Sequence, residues 1–360
     1  MKKVLVVITT GFVCYGGLTT AFMNYYRTMD KKGLIIDVAS IGDADKTLIK
    51  EINNDGGCYY KLPSKQKKPA RYAFALAKIC KGYDVIHVNG NSPTMVLELE
   101  IAKICRVKKR IAHSHNTAGM HPVLNIFLMP FFNSSYTLGL SCSKAAGAWI
   151  YQKKFHILNN AIDTHKYRYQ EKCRERIREK YNLKNDYVIG NVSKFVDAKN
   201  HGFIIDVFKS FHDLHANSRL MLVGDGPNRE KILKRIKDEK LESDIILIGM
   251  VEDASDYYST MDTFILPSFH EGLCLALLEA QANGLECMVS TSVTKENGIC
   301  QNVEYIELQK ELWKEKLINK YYNQENDNRQ KKSEMAILQL INAGYDNYQN
   351  SYQLREFYLM

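Results

Sequence analysis

"MKKVLVVITTGFVCYGGLTTAF" (residues 1–22) places a short apolar run, VLVVI, between two lysines and a pair of glycines. The run is too short for the core of a secretory signal and no small-residue cleavage pattern follows it. It therefore reads as a first buried strand. Gly16 and Gly17 then fall at a strand-to-helix turn, where a missing side chain permits close approach of backbone to a neighbour or a ligand.

The pattern recurs outward from this stretch. Apolar runs VLVVI (4–8), LIIDVA (34–39), DVIHV (84–88), KRIAHS (109–114), LGLSCS (138–143) and HILNN (156–160) alternate with helix-like segments. After the charged segment EKCRERIREKYNLKND (171–186) a second series follows: YVIGNV (187–192), RLMLVG (219–224), DIILIG (244–249), TFILP (263–267) and CMVS (287–290). Such alternation predicts parallel sheets with crossover helices, an α/β chain of two doubly wound domains. The boundary is expected within 163–187. NQENDNRQKKS (323–333) reads as a loop or a ragged helix end. In open parallel sheets ligands sit beyond the carboxyl ends of the strands, so the default site is a cleft between two such sheets.

Residues 1–190 carry 30 Lys and Arg against 14 Asp and Glu, whereas 191–360 carry 19 against 26. A basic half can meet nucleic acid, an anionic bilayer or acidic ligands, with KQKKPAR (65–71) and RVKKR (106–110) as contact points or plain solvated surface. The nine cysteines show no C-x-x-C pair and no regular spacing, which argues against a zinc knuckle, a redox motif or a disulfide framework. Most are expected as buried thiols in a reducing cytoplasm. No run approaches the ~20 apolar residues of a membrane span.

The chemistry concentrates in SFHEGLCLALLEAQANG (268–284), where Glu271 and Glu279 bracket an apolar stretch. Leu273 to Ala282 reads as a helix with its amino terminus, a natural site for anions, at the carboxyl end of a strand. Two carboxylates separated by roughly 12 Å of helix match the ends of a nucleotide sugar.

These residues resemble the Glu, seven residues, Glu motif of the family-4 retaining glycosyltransferases of GT-B fold, particularly exopolysaccharide and capsule enzymes. GNVSKFVDAKNHGFIIDVF (190–208), LMLVGDGPNREKI (220–232), ILNNAID (157–163), SCSKAAGAWI (141–150) and AGYDNYQNSYQLREFY (343–358) extend the likeness along nearly the whole chain. The resemblance implies two Rossmann-like domains facing across a cleft, 1–165 binding the acceptor and 166–342 the donor, with 343–360 crossing back onto the first. It implies hexosyl transfer from a nucleotide sugar, a UDP-sugar foremost, to a lipid-linked saccharide. It further implies a cytoplasmic enzyme, peripheral on the inner face of an anionic membrane, with no cofactor, no metal and no nucleic acid.

Residue by residue, the likeness gives Glu279 the ribose hydroxyls and Glu271 the hydroxyls of the transferred sugar. Backbone N–H groups near Gly272 and Leu273 would meet sugar or phosphate, and Lys194 and Lys199 the leaving diphosphate. Lys194 stands where arginine is common, Ala161 where glycine is, and Glu286 where proline is. Gly224 and Gly226 form the glycine turn, and Gly249, Met250 and Val251 the turn that contacts the base. Gly16 and Gly17 would touch phosphate or acceptor. His115 aligns with an active-site histidine, His113 being its rival should the register slip.

Other readings compete. His87, His113, His115 and His121 cluster in sequence but lack a carboxylate or cysteine at metal-ligand spacing. Asp43 and Asp45 form a D-x-D that reads as a solvated loop. Gly224-Asp225-Gly226 lacks the third glycine of a dinucleotide fingerprint. A GT-B-shaped binding subunit without turnover and a nucleotide-sugar epimerase are the alternatives in function.

Overall fold

The computed structural model describes residues 1–14, 16–116, 122–323 and 328–360, so His121 and part of the polar stretch at 323–333 lie outside the described residues. The chain divides into two compact units, Met1–Ala161 with Asn347–Met360, and Ile162–Asp346.

In the first unit the strands are β1 (Lys2–Ile8), β2 (Leu34–Ile41), β3 (Tyr59–Leu62), β4 (Val85–Gly90), β5 (Lys109–Ser114), β6 (Leu138–Ser141) and β7 (His156–Ile157). They form one parallel sheet in the order β3-β2-β1-β4-β5-β6-β7. The helices are α1 (Gly17–Thr28), α2 (Lys46–Asn54), α3 (Pro69–Cys80), α4 (Val96–Ile104), α5 (Pro122–Ser135) and α6 (Lys144–Ile150). Period-two alternation sorts β1 between two cores. Val4, Val6 and Ile8 pack with Phe22 and Tyr26 of α1, while Leu5 and Val7 pack with Leu76 of α3 and Leu99 of α4. Both faces are covered, which is why the strand reads as an unbroken apolar run.

In the second unit the sheet is β10-β9-β8-β11-β12-β13. Its strands are β8 (Tyr187–Val192), β9 (Ser218–Val223), β10 (Ile245–Gly249), β11 (Thr263–Leu266), β12 (Glu286–Ser290) and β13 (Val303–Ile306). The helices are α7 (Glu171–Lys180), α8 (His201–His212), α9 (Arg229–Asp238), α10 (Ser255–Thr260), α11 (Leu275–Ala282), α12 (Lys310–Tyr322) and α13 (Arg329–Asn342). The last helix, α14 (Asn347–Leu359), belongs to the first unit, where its Leu354, Phe357 and Tyr358 join the α1 side of the core.

The structure adds elements that the apolar runs do not show, and it corrects the expectation that most cysteines are buried. β3 and β13 carry no clean apolar run. Both are edge strands, paired on one side only and half exposed, so YYKL and VEYI hold polar residues. The charged end of 323–333 is ordered helix, because Asn328 caps α13 by accepting the Lys331 N–H at 3.0 Å. Glu286 lies in no loop, for it opens β12 with its carboxylate on Lys320 at 3.1 Å and Lys332 at 2.8 Å. Four of the nine cysteines, Cys80, Cys274, Cys287 and Cys300, are buried, and the rest are partly or fully exposed.

Candidate active site

The second sheet runs outward from β8 to β10, then returns to β11 beside β8 and runs the other way. At such a reversal the loops leaving two adjacent strands part in opposite directions and leave a crevice beyond their carboxyl ends. The loop after β8 carries Lys194 and Lys199, and the loop after β11 carries Glu271. The two loops are tied. Phe269 N–H donates to Ala198 O at 2.9 Å, Lys199 Nζ pairs with Glu271 Oε1, and Ser268 Oγ donates to that same oxygen at 2.7 Å. The pair is largely enclosed, with side-chain exposures of 19% and 11%. Lys194 is exposed on the same loop.

The glycine turn after β9 holds this loop from the other side. Gly224 has φ +141, and a Cβ there would lie 2.0 Å from Ser193 O; one at Gly226 would lie 2.5 Å from Phe195 O. No side chain fits, and the backbones instead bond directly, Phe195 N–H to Asp225 O at 2.9 Å and Asn228 N–H to Phe195 O at 3.0 Å. These glycines thus shape the lysine-bearing loop by close approach. Gly249, at φ +83, accepts the Gly224 N–H at 2.9 Å, and Met250 beyond it is 60% exposed with Val251 half-buried.

Glu271 does not begin the helix. α11 starts at Leu275, two residues later than expected, because Asn297 pins the intervening turn. Its Nδ2 donates to Gly272 O at 2.6 Å and its Oδ1 accepts the Cys274 N–H at 3.0 Å. Gly272 is exposed with open space around its Cα, and Leu273 packs partly on the α11–α13 core. Glu279, on α11, accepts from Tyr258 Oη at 2.7 Å, and the Tyr167 hydroxyl also bonds it. Burial raises its pKa, against the pull of both phenols. Two phenols leave part of a carboxylate's four acceptor positions unused.

In the first unit the corresponding reversal lies between β1 and β4. Gly16 precedes α1 and Gly17 opens it, with nothing within 4 Å of a Cβ placed on Gly17. Asp45 does more than face solvent, since its Oδ2 accepts the Cys14 N–H at 2.6 Å and ties down the loop after β1. His115 follows β5. Its Nε2 lies 3.0 Å from Asn89 Oδ1, its Nδ1 3.2 Å from Asn160 Oδ1, and its ring centroid 4.1 Å from that of His113. His113 and His115 therefore share a face, as alternation requires. His113 is buried and linked through His87 to the Tyr358 hydroxyl on α14 by contacts of 3.2 and 2.7 Å. Among the described residues no group of three or more His, Cys, Asp or Glu is placed to hold a metal ion.

Burial lowers the pKa of His115 to about 4 and of His87 to about 3, so both rings are neutral at neutral pH. A histidine whose folded pKa lies below its unfolded value of about 6.5 stabilises the fold fully above 6.5 and loses that contribution as the pH falls toward the folded value. His87→Gln keeps a polar partner for Tyr358 and removes this titration. Chemical unfolding at pH 6.5 and 5.5 is expected to show the variant losing up to about 1.4 kcal/mol less than the parent over that unit. Equal losses would place the proton elsewhere.

Sequence reasoning missed Ser268, Asn297, Tyr258, Tyr167, Asn89 and Asn160. They are neutral groups that hold charged or titrating side chains or, for Asn297, the backbone of Gly272 and Cys274, and single-sequence spacing carries no signal for them.

Residues 173–332 match the family model of the glycosyl transferases group 1. A putative glycosyltransferase, EpsF, of Bacillus subtilis is 28% identical over 297 residues, covering 78% of this chain and 77% of EpsF. An Escherichia coli UDP-Gal:alpha-D-GlcNAc-diphosphoundecaprenol alpha-1,3-galactosyltransferase is 32% identical over 110 residues, 30% of this chain and 28% of that one. The crystal structure of Anabaena HepE in complex with UDP superposes with a TM-score of 0.79 at 16% identity, covering 99% of each chain. Residues 173–332 are thus similar to the group 1 glycosyl transferases, and the chain is a glycosyltransferase with the two parallel α/β sheets of the GT-B fold.

Proposed function

We propose that the chain transfers a hexosyl residue from a nucleoside-diphosphate sugar, with retention at the anomeric carbon, to a lipid-linked saccharide during assembly of a cell-surface polysaccharide. The observation that carries this reading is the enclosed Lys199–Glu271 pair at the β8/β11 reversal, with Glu279 further along the same segment. The bond between the anomeric carbon and a diphosphate oxygen breaks with its electron pair passing to the diphosphate, while an acceptor hydroxyl oxygen bonds to that carbon and its proton passes to the departing diphosphate. The charge that develops there is what a fixed ammonium stabilises. Glu271, aligned by Lys199 and Ser268, accepts from hydroxyls of the sugar, and Glu279 uses its remaining lone pairs for the ribose diol. His115, neutral and held between two carboxamides, serves the reacting face in the first unit.

The names of the relatives support the rest. HepE was crystallised with UDP and with UDP-glucose, which fits a uridine donor. The E. coli relative acts on a diphosphoundecaprenol-linked sugar, and another, from Erwinia amylovora, is named an amylovoran biosynthesis glycosyltransferase.

Transfer of radiolabelled sugar by the parent and by Glu279→Ala tests the donor assignment. Loss of charge-assisted hydrogen bonds to the ribose is expected to raise the donor KM by about 10- to 100-fold. Equal rates at subsaturating donor would remove Glu279 from the site.

A further inference from the structure

Helix α5, PVLNIFLMPFFNSS, has its polarity inverted. The side turned to the sheet buries Asn125, Asn133 and Ser135 beside Phe132, while Val123, Ile126, Phe127 and Phe131 are 82, 73, 67 and 54% exposed. Two of these inward polar groups have their partners within the unit: Asn133 Nδ2 donates to Met129 O and Ile150 O, its Oδ1 accepts from Tyr136 Oη and the Gln152 N–H, and Ser135 Oγ bonds Glu100 and Phe131 O. Offsets of three, four and eight residues put the exposed side chains on one stripe. A helix at rest in water carries its polar side outward, and a continuous apolar stripe marks a surface that meets something.

The surroundings say what it meets. α5 lies beside α4, and α4 beside α3, all on one side of the sheet. These neighbours add Ile104 and Phe74, 78 and 75% exposed. Arg106 and Lys108 are exposed just after α4, and Lys153 and Lys154 just after Gln152, whose N–H meets Asn133 at the end of α5. From residue 101 to 162 the sequence has eight Lys or Arg and no Asp or Glu. The two acids of α4 are already engaged, Glu98 by Lys65 and Tyr72, Glu100 by Lys103 and Ser135. An anionic lipid surface answers both features, taking apolar side chains into the acyl boundary and phosphates against the basic rim.

We propose that the α3–α4–α5 layer is the face by which the first unit docks on an anionic bilayer, with Ile126, Phe127 and Phe131 entering it. The inference rests on the lipid-linked acceptor proposed above, which this docking would bring to the enzyme in two dimensions.

Co-sedimentation of the full chain with vesicles of phosphatidylcholine, with and without phosphatidylglycerol, tests it. The parent is expected to partition at least about tenfold more strongly onto the anionic vesicles, less so as salt rises. The pair Ile126→Ser and Phe127→Ser is expected to reduce that partition about tenfold or more, and Arg106→Gln with Lys108→Gln about fivefold per residue. All four side chains are exposed, so thermal unfolding should be unchanged in both double variants. Tryptophan placed by Phe127→Trp should shift its emission to shorter wavelength with the anionic vesicles. Absence of binding, or binding indifferent to the serine pair, overturns the proposal, as does self-association in light scattering that the serine pair abolishes. Calorimetric titration with nucleotide sugars needs no lipid. Donor binding retained by the serine pair alongside failed vesicle binding would sink the docking face and leave the transferase reading standing.

Discussion

Lys199→Met is expected to lower kcat by about 10²–10³-fold while the donor KM changes far less, measured by single-sugar transfer well below the unfolding temperature. The charge on the leaving diphosphate grows as the glycosidic bond lengthens, so an ammonium fixed at that oxygen stabilises the transition state more than the bound donor. Fixation is what the structure supplies. Glu271 and Ser268 hold the loop after β11 against the loop after β8, the Phe269–Ala198 bond adds a backbone tie, and Gly224 and Gly226 press the same loop from the side of β9. Methionine fills the space of the stem without the charge. Removing the ammonium also leaves Glu271 with Ser268 as its remaining side-chain partner among the described residues, at a cost of about 1.5–3 kcal/mol in stability. Unfolding measured alongside kinetics separates this cost from the catalytic one. Lys199→Arg keeps charge but demands more room in an enclosed pair, and should recover part of the turnover. Full activity in Lys199→Met would mean that the diphosphate is neutralised elsewhere, with Lys194 the first residue to examine.

The sequence revealed the fold most clearly where strands are buried on both faces. β1, β4, β8 and β9 read as continuous apolar runs because neighbours and helices enclose them on every side. β3 and β13 did not, because an edge strand has solvent for one neighbour and tolerates Lys61 or Glu304. At the candidate site the sequence itself singled out Glu271 and Glu279 by their spacing, whereas Lys199 and the turn glycines were named only through the family resemblance. What orients them was not legible. Asn297 acts on Gly272 from 25 residues away and Tyr258 on Glu279 from 21, and neither amide nor phenol leaves a periodic trace. The late start of α11 follows from the same blindness, since the sequence from Leu273 onward is helix-compatible and Asn297 decides where the turn ends. The inversion of α5 was hidden for a different reason. PVLNIFLMPFF reads as core by composition, and only coordinates show which side faces the sheet.

Asp262→Ala is expected to destabilise the second unit by about 3–5 kcal/mol, the range found when one partner is taken from a buried ion pair. Arg174 and Arg178, one helical turn apart on α7, both close on this carboxylate, at 2.5 and 2.6 Å, and it also accepts the Val188 N–H at 2.7 Å. Arg178 is 8% exposed and Arg329 approaches the same corner, donating to Met261 O and to Tyr258 O. Burial, with Arg174 as the next cause, lowers the Arg329 pKa to about 10, so cations already crowd this corner with the carboxylate in place. Alanine would strip the counter-charge from Arg174 and Arg178 while their carbonyl contacts to residues 259–261 keep them in position. For a unit of this size the loss corresponds to a fall in Tm of roughly 6–20 °C. Asp262→Asn, which keeps an acceptor for Val188 but not the charge, should fall between the two. The consequence reaches the site, since β11 runs from Asp262 toward Glu271 and the carbonyl of Tyr258 is anchored by Arg329 while its hydroxyl holds Glu279. Donor affinity should therefore weaken in Asp262→Ala even below its melting range. An unchanged unfolding curve would show that Arg174 and Arg178 find solvent or another acid at no cost, and that the corner is not what fixes α7 to the sheet.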